Sequence, residues 1–305
     1  MLFLMSMNTI HHNTCPICGQ QNLKTKYNLQ DYTVSKEFYD ILECESCGFM
    51  FTQDPPDAKS IGPYYKSDAY VSHSDTQEGL FFKIYHKVRE HMLKQKRKAI
   101  IENSSGHRTL KLLDIGTGRG YFLNHMQEQG FLCTGIEQDP EVRKIASEEF
   151  NLKILAPEQL YQFEENKFDV ITLWHVLEHV HDLKGYLEKI KSILKSDGLL
   201  VIALPNPDST DAKIYREHWA GWDLPIHLWH FKPQNIESLL SQYQFNMVDK
   251  RRLPFDPFYV SILGSQQRGD KLPMISGGFK GLRSYISCLS DIDKTTSLIY
   301  FFKKE

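Results

Sequence analysis

Long apolar stretches are missing from this 305-residue chain: no run of 18 or more apolar residues occurs, so no transmembrane helix is indicated. A strong charge of either sign is missing too. The 36 Lys and Arg nearly balance 38 Asp and Glu, for a formal net charge of -2, which excludes a molecule built throughout as a polyanion binder. A local basic face would still be compatible with nucleic acid. Internal repeats and low-complexity tracts are absent, so a repeat array is not expected. The opening Met1-Leu2-Phe3-Leu4-Met5 is apolar but lacks the charged start and the length of a signal peptide, and Met5 or Met7 would serve equally as the start. Cysteine is sparse, with six residues. Nothing suggests export, so a cytoplasmic, reducing compartment is expected and the cysteines read as metal ligands rather than disulfides.

Four of those cysteines form two tight pairs. Cys15-Pro16-Ile17-Cys18-Gly19 and Cys44-Glu45-Ser46-Cys47-Gly48 are separated by 25 residues, while Cys133 and Cys288 stand alone. Each pair is a knuckle in which two thiolates close on one metal and the glycine permits the turn. Four thiolates at ~2.3 Å suit a tetrahedral structural Zn²⁺ with no open position, so this metal is not assigned to catalysis. The neighbouring His11 and His12 read as exposed tail residues.

Residues 53–74 are rich in Pro, Gly, Ser and Asp and read as a linker or irregular loop. Ser74 with Gln77 resembles a capping box, and a helix is expected over about 78–102 with Phe81, Ile84, Tyr85, Val88 and Met92 on one face. Its other face holds Lys83, Lys87, Arg89, Lys94, Lys96, Arg97 and Lys98, read first as a solvated face and second as a phosphate-binding one. From residue 110 strands and helices alternate. Strands are expected at 110–115, 131–136, 153–155, 168–174, 199–204, 246–252 and 296–303. Helices are expected at 121–129, from Asp139-Pro140 onward, at 182–195 and at 233–244, with a turn at Ser196-Asp197-Gly198. Such alternation implies a mostly parallel sheet covered on both faces. The stretch 254–294 inserts between the last two strands, as a lid, a dimer surface or both.

The strongest enzymatic signal is Leu112-Leu113-Asp114-Ile115-Gly116-Thr117-Gly118-Arg119-Gly120, between a strand and a helix. It departs from the dinucleotide fingerprint, since the third glycine comes one place early and Tyr121 occupies the required position. Asp114 would also repel pyrophosphate, whereas it could pair with a cationic amino acid group. Both departures favour a ligand without pyrophosphate.

Asp-x-Gly-x-Gly-x-Gly resembles the first motif of class I S-adenosylmethionine-dependent methyltransferases. Glu137, Phe168-Asp169-Val170-Ile171 with Leu177-Glu178-His179-Val180, and Lys195–Leu204 resemble the family's later motifs in order and spacing, with Asp197 replacing one expected glycine. The resemblance covers about 110–205. It implies a Rossmann-like doubly wound α/β sheet of seven strands, the last antiparallel, preceded here by a small zinc-ribbon-like module. The division expected is 1–75 for module and linker and 76–305 for the methyltransferase domain. The resemblance further implies S-adenosylmethionine as cofactor. Gly116, Gly118 and Gly120 would lie against it, with Asp114 ordering the loop or meeting its amino acid part. Glu137 would lie at the ribose hydroxyls and Gln138 also at the cofactor, Ala156, Pro157 or Glu158 near the adenine, and Trp174 and His175 on the cofactor and substrate side. Packing in the core is the competing reading for Trp174.

After the fifth strand, His218, Trp219, Trp222, His227, Trp229 and His230 crowd a segment that must either pack or line a pocket. Pro225-Ile226-His227-Leu228-Trp229-His230-Phe231 resembles a segment of methyltransferases with an amino-terminal zinc module, some of them associated with sugar and surface-polysaccharide gene sets. The core also resembles ubiquinone-pathway O-methyltransferases. A hydroxyl or carbon acid must lose a proton to be methylated, and His227 is the candidate base, with His230 and His175 behind it. Structural packing of His227 and His230 is the competing reading. Glu178 and His179 are expected to begin a helix or support the cofactor loop rather than bind a catalytic metal.

The expected function is methyl transfer to oxygen or carbon of a small-molecule acceptor, such as a sugar nucleotide or related metabolite. Sugar C-methyltransferases usually carry a further carboxyl-terminal domain and this chain stops at Glu305, which counts against that chemistry in particular. The alternatives are an RNA base methyltransferase that holds RNA with its zinc module, and a non-catalytic zinc-ribbon interaction protein. Nucleic acid ranks below small molecules as a partner, no membrane is expected, and a homodimer is compatible with the sequence.

Overall fold

The computed structural model describes residues 8–65, 80–105 and 109–304, with side chains of the helix starting at Leu80 described from His86. The apolar start, the Ser74/Gln77 capping box and the side chains of Phe81, Lys83, Ile84 and Tyr85 lie outside the described residues.

Strand alternation builds the central sheet. Seven strands run β4 (Lys111–Ile115), β5 (Leu132–Ile136), β6 (Ile154–Leu155), β7 (Phe168–Trp174), β8 (Leu194–Pro205), β10 (Phe245–Arg252) and β11 (Ser297–Lys304). Their order across the sheet is β10-β11-β8-β7-β4-β5-β6. Pairing is parallel from β6 to β8, and β11 is antiparallel to both its neighbours. Successive residues of a strand face opposite sides. Leu113, Ile171, Leu200 and Ile202 accordingly join one buried cluster, while Leu112, Val170, Val201 and Ala203 join another.

Helices cover both faces. The second cluster takes Ala99 and Ile100 from α1 (Leu80–Asn103) and Phe122, Leu123 and Met126 from α2 (Tyr121–Glu128). The first takes Leu187 and Ile190 from α4 (Leu183–Ile193) and Ile236, Leu239 and Leu240 from α6 (Pro233–Gln242). α3 (Pro140–Phe150) starts where expected, because the Asp139 side chain accepts the N–H groups of Glu141 and Val142 ahead of Pro140. One expected break is absent. Ser196-Asp197-Gly198 lies within β8 as a bulge, with the register on β7 passing from Phe168↔Leu194 to Val170↔Leu199. Lys195 is tethered there by Asp169, at 2.7 Å from a carboxylate that is only 4% exposed.

The amino-terminal module is a small antiparallel sheet of β1 (Leu23–Gln30), β2 (Phe38–Cys44) and β3 (Met50–Thr52). Its fourth strand, β9 (Trp229–His230), comes from the histidine-rich segment, paired Met50↔His230 and Phe51↔Trp229. Cys15, Cys44, Phe49 and Phe51 lie in the same buried cluster as Leu228, Trp229, Phe231 and the central strands. The core therefore runs across the division expected near residue 75. Residues 53–65 pack rather than hang as a linker: Pro55 and Pro56 are buried, and Thr9 bridges to Pro56. His11 is exposed and bonded to Asp54, but His12 is not a free tail residue, because its ring packs 5.3 Å from Phe51 and 5.5 Å from Trp229.

The insertion forms two packed helices, α7 (Asp256–Gln267) and α8 (Pro273–Ser290). Gly277 and Gly281 sit where a Cβ would fall within 3 Å of the α7 backbone, so only glycine allows this close approach. A short helix, α5 (Thr210–Tyr215), opens the histidine-rich segment. Its Asp211, fully buried, accepts from Trp219 Nε1, Ser284 and Thr296, fixing that segment to α8 and to the head of β11.

Candidate active site

The order of strands reverses at β4, whose neighbours β5 and β7 lead away on either side, and ligands of open α/β sheets bind at such a point. The glycine loop sits there. Gly116 and Thr117 donate backbone N–H groups to Ile136 O, and Gly118 donates to Glu137 Oε2 at 2.8 Å. Glu137 also accepts from Asp139 N–H at 3.0 Å, and its carboxylate keeps lone pairs for the hydroxyls of a ligand.

The three glycines differ. A Cβ at Gly116 would strike Val176 and one at Gly120 would strike Leu152, so those two serve packing. Gly118, at φ +54°, has nothing within 4 Å of where a Cβ would be. That open side is a cradle into which a cofactor can approach the backbone. Gln138 is exposed at the end of β5, and Ala156 and Pro157 follow β6 at the same edge, where Glu137 N–H bonds Leu155 O.

Asp114 lies behind the loop, 1% exposed, and accepts from Thr172 Oγ1 at 2.6 Å across the β4–β7 boundary. Burial pushes its carboxyl up to about 7, against the pull of Thr172 and Lys96. Lys96 is the residue the sequence reading misplaced. It turns inward from α1, its Nζ 3.8 Å from the centre of the Trp174 ring, and burial lowers its ammonium to about 8. Among the described residues of the remaining basic face of α1, Lys94 pairs with Glu90, Lys98 lies 3.8 Å from Glu102, and Arg89 stacks on Tyr121. Trp174 also meets Phe122 edge-on and holds a buried Nε1–H with no hydrogen-bond partner.

A cleft of about 1080 Å³ opens beyond β7 and β8, lined by His175, His179, Pro205, Trp219 and His227, by Asp256 and Tyr259 of α7, and by Tyr32, Thr33 and Val34 of the amino-terminal module. His227, the first candidate base, has its Nδ1 2.9 Å from Gly221 O, so an Nδ1–H donated there leaves the Nε2 lone pair free, 4.0 Å from Asp223. The two reserve candidates do not fit. Burial alone would lower His175, but Asp256 at 3.6 Å and Glu178 at 3.4 Å raise it to about 9, so it carries a proton rather than accepting one. His230 is 3% exposed, lies outside the cleft lining and bonds Thr52 Oγ1 at 3.1 Å, a packed strand residue.

Glu178 and His179 form a single 3-10 turn, Leu177–His179, rather than a longer helix. Ligand atoms of Glu178, His179 and His227 lie within 4.8 Å of one another. Both Glu178 oxygens are buried, with only the His175 ring at 3.4 Å beside them, and burial together with the nearby His227 lowers His179 to about 4. The cysteine pairs make the second such cluster. Cys15 Sγ and Cys47 Sγ are 3.6 Å apart, as are Cys18 Sγ and Cys44 Sγ, far beyond a disulfide and close to the ~3.8 Å edge of a tetrahedron with 2.3 Å bonds.

Asp114 supplies a pH prediction. The carboxyl passes from mostly neutral to mostly ionised across pH 6 to 8, and a ligand ammonium favours the ionised form. Affinity for S-adenosylhomocysteine should therefore rise over that range and become flat in Asp114→Asn. Calorimetry at three pH values checks it, and an unchanged slope in the variant would assign the dependence elsewhere.

Comparison with known proteins agrees with this geometry. A family profile described as a methyltransferase domain matches residues 85–250, more than half of the chain. The ubiquinone biosynthesis O-methyltransferase of Bartonella quintana is 26% identical over 171 residues, and that of Cereibacter sphaeroides (strain ATCC 17029) is 30% identical over 161. Each match covers 48% of this chain and 65% of the relative, short of two thirds of its length. Among solved structures, magnesium protoporphyrin IX methyltransferase from Synechocystis PCC 6803 with bound SAH superposes with a TM-score of 0.54 at 12% identity, over 82% of this chain and all of that one. That likeness concerns the fold alone. With the strand order, the open glycine loop and the family profile in agreement, the chain belongs to the methyltransferase domain family, as a class I, S-adenosylmethionine-dependent member.

Proposed function

We propose that the chain transfers a methyl group from S-adenosylmethionine to an oxygen or carbon of a small-molecule acceptor held in the cleft. The observation that carries this reading is His227, whose Nε2 is left free beside the cleft by the Nδ1 contact with Gly221 O. S-adenosylmethionine supplies the electrophilic methyl group. The chain's own residues supply the rest: Gly118 and Glu137 present backbone and carboxylate to the cofactor, Asp114 and Thr172 hold the loop, and His227 takes the acceptor proton. The O-methylation that names the Bartonella and Cereibacter relatives supports oxygen before carbon.

His227→Ala should lower turnover roughly a hundredfold or more, the usual worth of a positioned base, with S-adenosylhomocysteine affinity unchanged. The readout is S-adenosylhomocysteine release from defined metabolite pools and, separately, from RNA. Undiminished turnover in the variant would remove the base role. Release with RNA alone would move the reading to RNA methylation. The spacing of Glu178, His179 and His227, with both Glu178 oxygens buried, favours a second reading in which these three hold a divalent cation that the acceptor meets. Loss of turnover after mild chelation, restored by one metal, would select it over the plain base.

We also propose a structural Zn²⁺ on Cys15, Cys18, Cys44 and Cys47, supported by the sulfur spacing and tested by metal analysis at about one ion per chain. The outer face of α8 carries Ile275, Phe279, Leu282, Ile286 and Leu289, all exposed, and is the surface proposed for a homodimer. Sedimentation showing a monomer at every concentration would remove that proposal.

A further inference from the structure

The cleft has walls from two separate parts of the chain. One wall is the loop between β1 and β2. Asp31, 1% exposed, builds it: the carboxylate accepts the N–H groups of Thr33 at 2.7 Å, Val34 at 3.1 Å and Ser35 at 2.5 Å, and the Ser35 hydroxyl at 2.8 Å. Asp31 N–H closes the loop on Glu37 O. A loop held in this way presents Tyr32, Thr33 and Val34 to the cleft, with the Tyr32 ring 5.7 Å from that of His218. Its distance from the base is fixed as well, since β3 pairs with β9 and Thr52 Oγ1 donates to His227 O at 2.7 Å.

The titratable side chains of the lining are Asp223, Asp256, His175, His179 and His227; the positive charge of His175 is met by Asp256 at 3.6 Å and Glu178 at 3.4 Å, and among the described lining residues there is no Lys or Arg. Glu178 sits behind His175, and a narrow recess sharing Tyr32, Thr33 and Asp223 adds Glu217, again without Lys or Arg. Phosphate recognition ordinarily uses an Arg fork, a Lys or a free helix N-terminus. The helix end that reaches this cleft, that of α7, already carries the Asp256 carboxylate in its first turn. The apolar surface includes three aromatic rings, Tyr32, Trp219 and Tyr259, beside the aliphatic Val34, Val260 and Leu263.

We infer that the acceptor is a ring-bearing molecule without phosphate, neutral or cationic, and that the β1–β2 loop of the amino-terminal module selects it. This rests on the methyl-transfer reading above. It removes the sugar nucleotide from the expected acceptors and gives the module a direct part in acceptor choice.

The test uses the full chain loaded with S-adenosylhomocysteine and two probes, tyramine and its phosphate ester, followed by tryptophan fluorescence and calorimetry. Tyramine should bind roughly tenfold or more tightly than the ester, the effect expected of like charges brought together. Val34→Lys should narrow or reverse that ratio with S-adenosylhomocysteine affinity unchanged. The inference is overturned if the ester binds as well as the amine, if neither probe binds the loaded protein, or if Val34→Lys leaves the ratio where it was. Failure to load S-adenosylhomocysteine at all is a different result, which sinks the methyl-transfer reading and this inference with it.

Discussion

Gly118→Val should abolish S-adenosylhomocysteine binding while leaving a folded protein. The backbone at Gly118 adopts φ +54°, a left-handed conformation that a β-branched residue adopts only under strain of about 1–2 kcal/mol. In a domain of this size that strain lowers the melting temperature by only a few degrees. No protein atom lies within 4 Å of the new Cβ, so the valine clashes with nothing in the empty protein. The harm is to the ligand, because the branched side chain fills the open side of the loop. Gly118→Ala separates the two effects, keeping most of the backbone strain with less bulk, and should bind weakly rather than not at all. The same change at Gly116 or Gly120 should instead unfold or distort the domain, since Val176 and Leu152 stand in the way there. Normal calorimetric titration of Gly118→Val would show that the cofactor does not approach this loop.

Cys44→Ser should release the proposed zinc, and the damage should travel to the acceptor side of the enzyme while the cofactor side survives. A structural zinc contributes on the order of 10 kcal/mol in small metal-folded modules, so its loss should unfold the amino-terminal sheet. Cys44 is fully buried, and β3 of that sheet is the partner of β9. Asn235 also donates to Cys47 O, and Lys232 pairs with Glu43 at 2.8 Å. Removing these partners frees residues 226–232, including His227. Hydrogen exchange should therefore show lost protection at 23–52 and 226–232 but retained protection at 111–136, with turnover below detection and S-adenosylhomocysteine affinity within about threefold of the parent. Retained protection at 226–232 would mean that the two parts are separable. Lost protection at 111–136 would mean that the whole core depends on the metal.

The legible parts of this molecule were those written locally. Asp139-Pro140 marks a helix start by a cap that the next residues satisfy, and the alternating Leu112–Leu113 and Val170–Ile171 pairs record a sheet covered on both faces. The glycine motif and the cysteine knuckles are short and position-specific, so their neighbourhood could be read directly. What escaped was set by distant contacts. Lys96 shares a helix face with charged neighbours, and only the tertiary fold turns it toward Trp174 and Asp114. His175 reads as a free histidine until Glu178 and Asp256 close on either side of it. The pairing of β3 with β9 involves two residues on each side, separated by nearly the whole sheet in sequence, and no periodic pattern announces it. Tyr32, Thr33 and Val34 lay between the cysteine pairs, where a closed metal module offered no reason to look for an acceptor contact.

The two-residue strand β9 also bears on how such a protein can change over generations. If the amino-terminal module were exchanged for that of a relative, the incoming β3 would need a matching Leu228–Phe231 segment, some 180 residues away, and an adjoining Lys232 to meet its acidic partner. The inherited unit is therefore discontinuous. Substitutions at 50–52 should co-vary with those at 228–232 more strongly than with the residues that separate them along the chain.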